Sequence, residues 1–158
     1  MKFEDLRLLF TKIRDQWNED SKIDFEFRNK QYTADLAQIS LDIPFQHNKY
    51  LNHYTDISQI KTSLEFELRK LVREKREYYA GEAPGEVYAK KPFGKKIKTN
   101  DMMKVHLESD DDIINLEAKV QYVNQILNYL EHVLKMISQR NYHLRNAIEW
   151  ERFINGSV

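Results

Sequence analysis

The sequence predicts a mainly α fold: an elongated helical protein with a short basic loop or hairpin and a long C-terminal heptad-patterned oligomerisation helix. Three observations carry this. Apolar residues recur at spacings of three and four over most of the 158 residues, as one face of a 3.6-residue helix demands. Only 4 glycines and 3 prolines punctuate the chain, so turns are few and elements long. The 41% hydrophobic and 32% charged content suits helices that each bury one face better than it suits a two-layer enzyme core.

Phe3, Leu6, Phe10, Ile13 and Trp17 keep the helical spacing and predict a first amphipathic helix of roughly fifteen residues. From Asn18 to Lys30 the pattern lapses. A weak alternation of Ile23, Phe25 and Phe27 there is compatible with a short strand or an ordered loop. Thr33 is placed to cap a short helix ending at Leu41, and Pro44 to start a new one carrying Phe45, Tyr50, Leu51 and Tyr54, since proline at a first helical position loses nothing by lacking its N–H. Thr55 or Asp56 then caps a further helix through Ile57, Ile60, Leu64, Leu68 and Leu71. Gly81, free to adopt a left-handed conformation, stops it. Val87 to Lys98, VYAKKPFGKKIK, has five lysines and a Pro-Phe-Gly turn signal and is expected as the basic loop or hairpin. A short amphipathic piece, Met102 to Leu107, follows.

Ser109 before Asp110, Asp111 and Asp112 marks the start of the last helix, a hydroxyl cap with carboxylates at the positive end of the helix dipole. Capping explains these acids better than a magnesium site, because no further ligand stands at useful spacing. Ile113, Leu116, Val120, Val123, Leu127, Leu130, Leu134, Ile137, Asn141 and Leu144 form a sustained a/d series, the pattern of a helix–helix seam. Ile126 and Val133 widen the stripe, so that each helix has surface for two neighbours, and Asn141 is a candidate buried amide that fixes register. An intramolecular seam with the earlier helices is the other reading of the same pattern.

The chain carries no cysteine, no phosphate-binding glycine loop and no paired histidines, so disulfides, cysteine-ligated zinc and P-loop ATPase chemistry have no support; no catalytic residue, metal site or cofactor is expected. The N-terminus lacks the apolar core of a signal peptide, and no run approaches a membrane span, so no membrane partner is expected either. Net charge is zero, yet residues 69 to 98 hold ten positive side chains against four acids. Arg69, Arg73 and Arg76 share one face of the helix that ends in Tyr78, Tyr79 and Gly81. Cations beside phenol rings suit single-stranded nucleic acid, whose phosphates need charge and whose unstacked bases need a flat surface. Lys75, Lys90, Lys91, Lys95, Lys96 and Lys98 extend the basic segment. Because Glu67, Glu74 and Glu77 lie nearby, the same helix also reads as an ordinary solvated face.

Several segments carry a family resemblance: KYLNHYTDISQIK from Lys49, the stretch from Val72 to Gly81 ending in EYYAG, MKVHLESDDDIINLEAKVQYVNQIL, and more loosely ISQRNYHL. In this order, over about two-thirds of the chain, they resemble the UvsY family of recombination mediators of T-even phages. The family's K-A-R-L-D-Y-Y-S-G motif falls on Arg73 through Gly81, so its two functional cations map to Arg73 and Lys75, each exchanged for the other cation type, while Arg76 replaces an apolar residue. Before Lys49 the match fades, and Asn18 to Lys30 looks like extra sequence. The resemblance implies a non-enzymatic protein of DNA recombination, repair and replication, acting in the cytoplasm of the infected bacterial host. It implies a ring-like homo-oligomer, a hexamer or heptamer, that binds single-stranded DNA and loads a RecA-like phage recombinase where single-strand-binding protein must yield. Residues 1–108 are then the DNA-binding region and 109–158 the oligomerisation helix. The competing function is a helical adaptor or structural oligomer that binds acidic protein or RNA partners.

Overall fold

The computed structural model describes residues 2–26, 33–154 and 156. They build five helices, α1 (Phe3–Glu26), α2 (Thr33–Ala80), α3 (Gly85–Lys90), α4 (Asn100–Glu108) and α5 (Asp111–Ile154), with no strand among the described residues. None of these helices is long and apolar enough to cross a membrane. The chain forms two compact units, one of Met1–Ser58 with Gln125–Val158 and one of Gln59–Asn124.

The first unit is a three-helix packing of α1, the first half of α2 and the second half of α5. Its core repeats every seven residues on each helix: Leu6 and Ile13 on α1, Ile43, Tyr50 and Ile57 on α2, Leu130 and Ile137 on α5 with Ile126 and Val133 beside them, all buried. Phe10 meets Tyr129 edge-on at 5.3 Å, and Trp17 meets Tyr50 at the same distance. A polar knot closes one side. The Asp20 carboxylate accepts from the Tyr50 hydroxyl at 2.7 Å and from Lys49 Nζ at 2.6 Å, and the buried Arg140 donates to Gln46 and to the Asp20 carbonyl. Burial and the hydrogen bond to Asp20 push the Tyr50 phenol far above its ordinary value, so it stays protonated.

Two expectations change in this unit. Helix α1 has 24 residues instead of roughly fifteen, and Ile23 and Phe25 belong to it; Phe27 lies outside the described residues. Asp20, within the added turns, pairs with Lys49 and Tyr50 of α2. Helix α2 is one continuous element of 48 residues, with neither a break at Pro44 nor a cap at Thr55, whose hydroxyl instead donates to the Leu51 carbonyl at 2.9 Å within the helix. An interior proline costs about 3 kcal/mol or more. Burying an isoleucine or leucine contributes about 1.5–3 kcal/mol, and Ile43, Tyr50, Ile57 and Leu64 are all buried in phase across the proline. Packing wins, and the exposed Pro44 ring sits on the outer side of the helix.

Most of the expected oligomerisation seam lies inside the single chain. Ile113, Val123, Leu127, Leu130 and Ile137 are buried within it, and Leu116, Val120, Leu134 and Leu144 are half-buried. Asn141, expected as a buried amide, is exposed. The intramolecular reading of the heptads therefore holds for these positions. Large apolar side chains that stay exposed on α5 include Tyr142, Trp150, Phe153 and Ile154. Because Pro44 is exposed and removes one helix donor, Pro44→Ala is expected to stabilise the protein by up to about 3 kcal/mol, measured by urea unfolding at fixed protein concentration; no gain would mean that the backbone has relaxed around the ring.

Candidate nucleic-acid interface

The second unit is organised by two edges of the same stretch of α2. On one edge Leu64, Leu68, Leu71, Lys75 and Tyr78 succeed each other at spacings of three and four, and this edge packs inward, with Leu64 and Tyr78 buried. On the other edge stand Phe66, Arg69, Arg73 and Arg76, all exposed.

The inward edge ends in a packed aromatic cluster. Tyr78 stacks on Tyr88 with ring centres 5.4 Å apart and planes 17° from parallel, and Phe93 lies 5.4 Å from Tyr78 and 5.1 Å from Tyr79. His106 of α4 also packs on Tyr79, at 5.2 Å, and lies 5.9 Å from Phe93. The hydroxyls are all engaged: Tyr78 donates to the Lys91 carbonyl at 3.0 Å, Tyr88 to the Tyr78 carbonyl at 2.8 Å, and Tyr79 to the Asp110 carboxylate at 2.6 Å.

Asp110 joins three tasks. One of its oxygens accepts the backbone N–H groups of Asp112 and Ile113 at 3.0 and 3.4 Å, so Asp110 is the N-cap of α5. Ser109, expected in that role, points back instead and donates to the Val105 carbonyl at 2.8 Å, closing α4. The Lys75 ammonium lies 2.9 Å from the Asp110 carboxylate and also pairs with Asp112. Side-chain exposure is 13% for Lys75 and 4% for Asp110, so this is a buried ion pair. Burial pushes the Asp110 carboxyl up, but the bonds from Tyr79, Lys75 and the Asp112 backbone outweigh it and hold the group below the usual carboxylate range. For Lys75, burial pulls down, and the hydrogen bonds and charge of Asp112 and Asp110 hold the ammonium above the ordinary lysine value.

Gly81 terminates α2 as expected. Its φ is +77°, Glu82 N–H donates to the Glu77 carbonyl at 2.9 Å and Gly81 N–H to the Tyr78 carbonyl at 3.2 Å, the paired bonds of a left-handed helix stop. A side chain here would also meet the Lys96 stem within 3.0 Å. Val87 to Lys90 belong to the short helix α3, so the irregular basic loop begins at Lys91 and no hairpin forms among the described residues. The loop returns to the helix end where Ile97, buried, donates its N–H to the Tyr79 carbonyl at 3.0 Å.

This return builds a cleft of about 570 Å³ lined by Arg73, Arg76, Lys96 and Lys98, together with Glu77, Glu82 and the first residues of α4, whose N-terminus adds the positive end of a helix dipole. A second cleft, about 460 Å³, lies along Leu71, Arg73, Tyr78, Pro84, Val87 and Lys91. Lys90 and Lys95 are exposed and line neither. Arg73 is 71% exposed and lies 4.0 Å from Glu77, a loose pair that a phosphate can displace. Two residues expected on the strand are engaged within the chain: the Lys75 ammonium is buried between Asp110 and Asp112, and Tyr78 is 7% exposed and packed on Tyr88. Tyr79 packs against Phe93 and His106, with its hydroxyl on Asp110. Phe66 escaped the sequence reading, although its position three residues before Arg69 places it on the arginine edge. No group of side chains suited to a metal ion occurs among the described residues.

An all-helical fold with arginines and lysines converging on an open cleft defines a class of scaffold proteins that present cations to a polyanionic strand. Within that class the assignment is specific. The family described as "Recombination, repair and ssDNA binding protein UvsY" matches residues 16–157, and the chain belongs to it. The match includes the whole Asn18 to Lys30 stretch, which is therefore not extra to the family. The recombination protein uvsY of Enterobacteria phage T4 is 21% identical over 110 residues, covering 70% of this chain and 77% of that protein. The fold is similar to crystal structures of the bacteriophage T4 recombination mediator protein UvsY. In one lattice type the TM-score is 0.73 at 17% identity, covering 91% of this chain and 98% of the other. In another it is 0.69 at 16% identity, covering 98% of each.

Removing the Asp110 carboxylate by Asp110→Ala leaves the Lys75 ammonium with Asp112 alone and uncaps α5, and is expected to cost about 2–4 kcal/mol in chemical denaturation. The pH dependence has a definite sign. The folded-state carboxyl lies below its unfolded value, so its stabilising contribution is complete above the unfolded carboxylate range and is lost as pH falls through the folded value. The folded ammonium lies above its unfolded value, so its contribution is complete below the ordinary lysine range and is lost as pH rises through the folded value. Wild type should lose stability at both limits; Asp110→Ala should remove the acid-side loss that Asp110 causes and reduce the alkaline one, part of which Asp112 sustains.

Proposed function

We propose that this protein is a recombination mediator that binds single-stranded DNA as a ring-like homo-oligomer, a hexamer or heptamer, and promotes loading of a RecA-like recombinase onto strands covered by single-strand-binding protein. The observation that carries the reading is the convergence of Arg73, Arg76, Lys96 and Lys98 on one open cleft in a chain of zero net charge. Segregated cations beside an accessible groove give a phosphate backbone its counterions, whereas the remaining acids keep the rest of the surface from binding nucleic acid indiscriminately.

Arg73 is the principal phosphate contact in this reading, with Arg69, Arg76 and the lysines of the 90–98 stretch in support; Lys75 holds the helix that presents them. Residues 1–108 supply the strand surface. Assembly falls to the end of α5, where Tyr142, Trp150, Phe153 and Ile154 stay exposed after the heptad core is buried within the chain. One subunit is a weak site. Copies linked in a ring raise effective concentration, and avidity rises by orders of magnitude without new contacts. A strand held at many points in this way is bent away from single-strand-binding protein and offered to the recombinase.

Arg73→Ala with Arg76→Ala is expected to weaken oligo-dT binding and to reduce the slope of log affinity against log salt by roughly 0.7 for each phosphate contact removed, with unchanged sedimentation. Lys75→Ala should lower stability and leave that slope intact; a slope lowered as much as by the arginine changes would return Lys75 to the strand side. Trp150→Ser with Phe153→Ser is expected to shift the assembly toward monomer in sedimentation and to weaken strand binding at least tenfold by loss of avidity. Retention of the full assembly would remove these side chains from the subunit contact.

A further inference from the structure

We propose that Phe66, held by Arg69, is the platform on which an unstacked nucleobase of the bound strand rests. This rests on the strand-binding reading above and deepens it, because the tyrosines that composition would nominate are occupied elsewhere. Tyr78 is buried on Tyr88, and the Tyr79 hydroxyl is bound to Asp110.

Phe66 differs from both. Its side chain is 61% exposed, on a helix edge whose other members are arginines. An exposed phenyl ring among charges contributes little to folding, and it leaves a flat π surface open to solvent. The Arg69 guanidinium lies 4.5 Å from the ring centre, and its Nε donates to the Glu65 carbonyl at 3.4 Å, so the cation is fixed over one side of the ring by its own helix. Ring and guanidinium are both planar surfaces of the kind on which bases stack, and the positive charge beside them favours the strand over a neutral apolar ligand.

The register along the helix supplies the rest. From Phe66, Arg69, Arg73 and Arg76 follow at about 4.5, 10.5 and 15 Å along the axis at 1.5 Å per residue. A strand laid along this edge meets an aromatic platform first and then successive cations, leading to the cleft that Arg73 and Arg76 share with Lys96 and Lys98. Such a contact is tolerant of sequence, since every base has a π face.

The test uses the full-length protein with two polyanions of equal length and charge, oligo-dT and an abasic sugar-phosphate oligomer. Wild type is expected to bind oligo-dT about tenfold more tightly. Phe66→Leu, which keeps apolar bulk without a π face, should bring the ratio of the two affinities close to one, and Phe66→Trp should restore it. A single 2-aminopurine in an otherwise abasic strand should be shielded from acrylamide on wild type and not on Phe66→Leu, with helicity equal in circular dichroism. The proposal is overturned by a wild-type ratio of one, by a ratio that Phe66→Leu leaves unchanged, or by a change of sedimentation in Phe66→Leu that accounts for the lost binding, which would make Phe66 a subunit contact. If wild type binds neither oligomer, strand binding itself fails; if it binds both equally, only the base platform does.

Discussion

The Asp110 carboxylate is the constraint on which the second unit depends. It stands at the break between α4 and α5, caps the backbone of α5, receives the Lys75 ammonium and accepts the Tyr79 hydroxyl. Its partners come from α5 itself and from successive turns of α2, so one side chain fixes where α5 begins and which face of α2 meets it. A buried ion pair is weak evidence for net stability, because desolvation offsets most of its Coulomb energy. Its effect is geometric. With Lys75 and Tyr79 directed at Asp110, the helix has one allowed rotation, and Arg69, Arg73 and Arg76 are turned outward as a consequence.

The first unit uses the same logic with different residues. Heptad-spaced side chains of three helices form its apolar interior, and a carboxylate again sits where the apolar stripe gives way, with Asp20 accepting from Tyr50 and Lys49 while Arg140 reaches its carbonyl. Both knots meet the requirement that a buried polar group be hydrogen-bonded. They also resist substitution in the same asymmetric way, since removing one partner leaves the other charged and desolvated.

Apolar periodicity made most of the fold legible in the sequence. The existence of α1 and α5, the amphipathic piece that became α4 and the stop at Gly81 all follow from spacing or from a single glycine. Local punctuation misled at Pro44 and Thr55, because the stripe Ile43, Tyr50, Ile57, Leu64 keeps phase through both and its burial outweighs a missing donor. At Ser109 and Asp110 two good capping residues stand side by side, and only tertiary partners choose between them. The seam on α5 could serve one chain or several; pattern alone does not say which, as a heptad records that a helix has a neighbour and not whose it is. Lys75 was readable in principle. It falls between Leu71 and Tyr78 on the inward stripe, while Arg73 and Arg76 fall on the other edge, so spacing outranks charge in deciding which cation faces solvent.

That division bears on how a neutral chain binds a polyanion at all. A helix with cations all around would hold a strand in many orientations and would bind other anions equally well. Here one of the three cations between residues 73 and 76, Lys75, is neutralised by Asp110 and Asp112, while Arg73 and Arg76 stay exposed on one edge beside the loop that returns at Ile97. In the proposed reading the strand is thereby offered one track of small width. Weak contacts along a narrow track can be released one at a time, whereas a deep basic pocket would hold the strand against the very partner meant to receive it. A mediator of the proposed kind needs the first behaviour, because in that reading its grip has to exceed that of the protein it displaces only while several subunits act together.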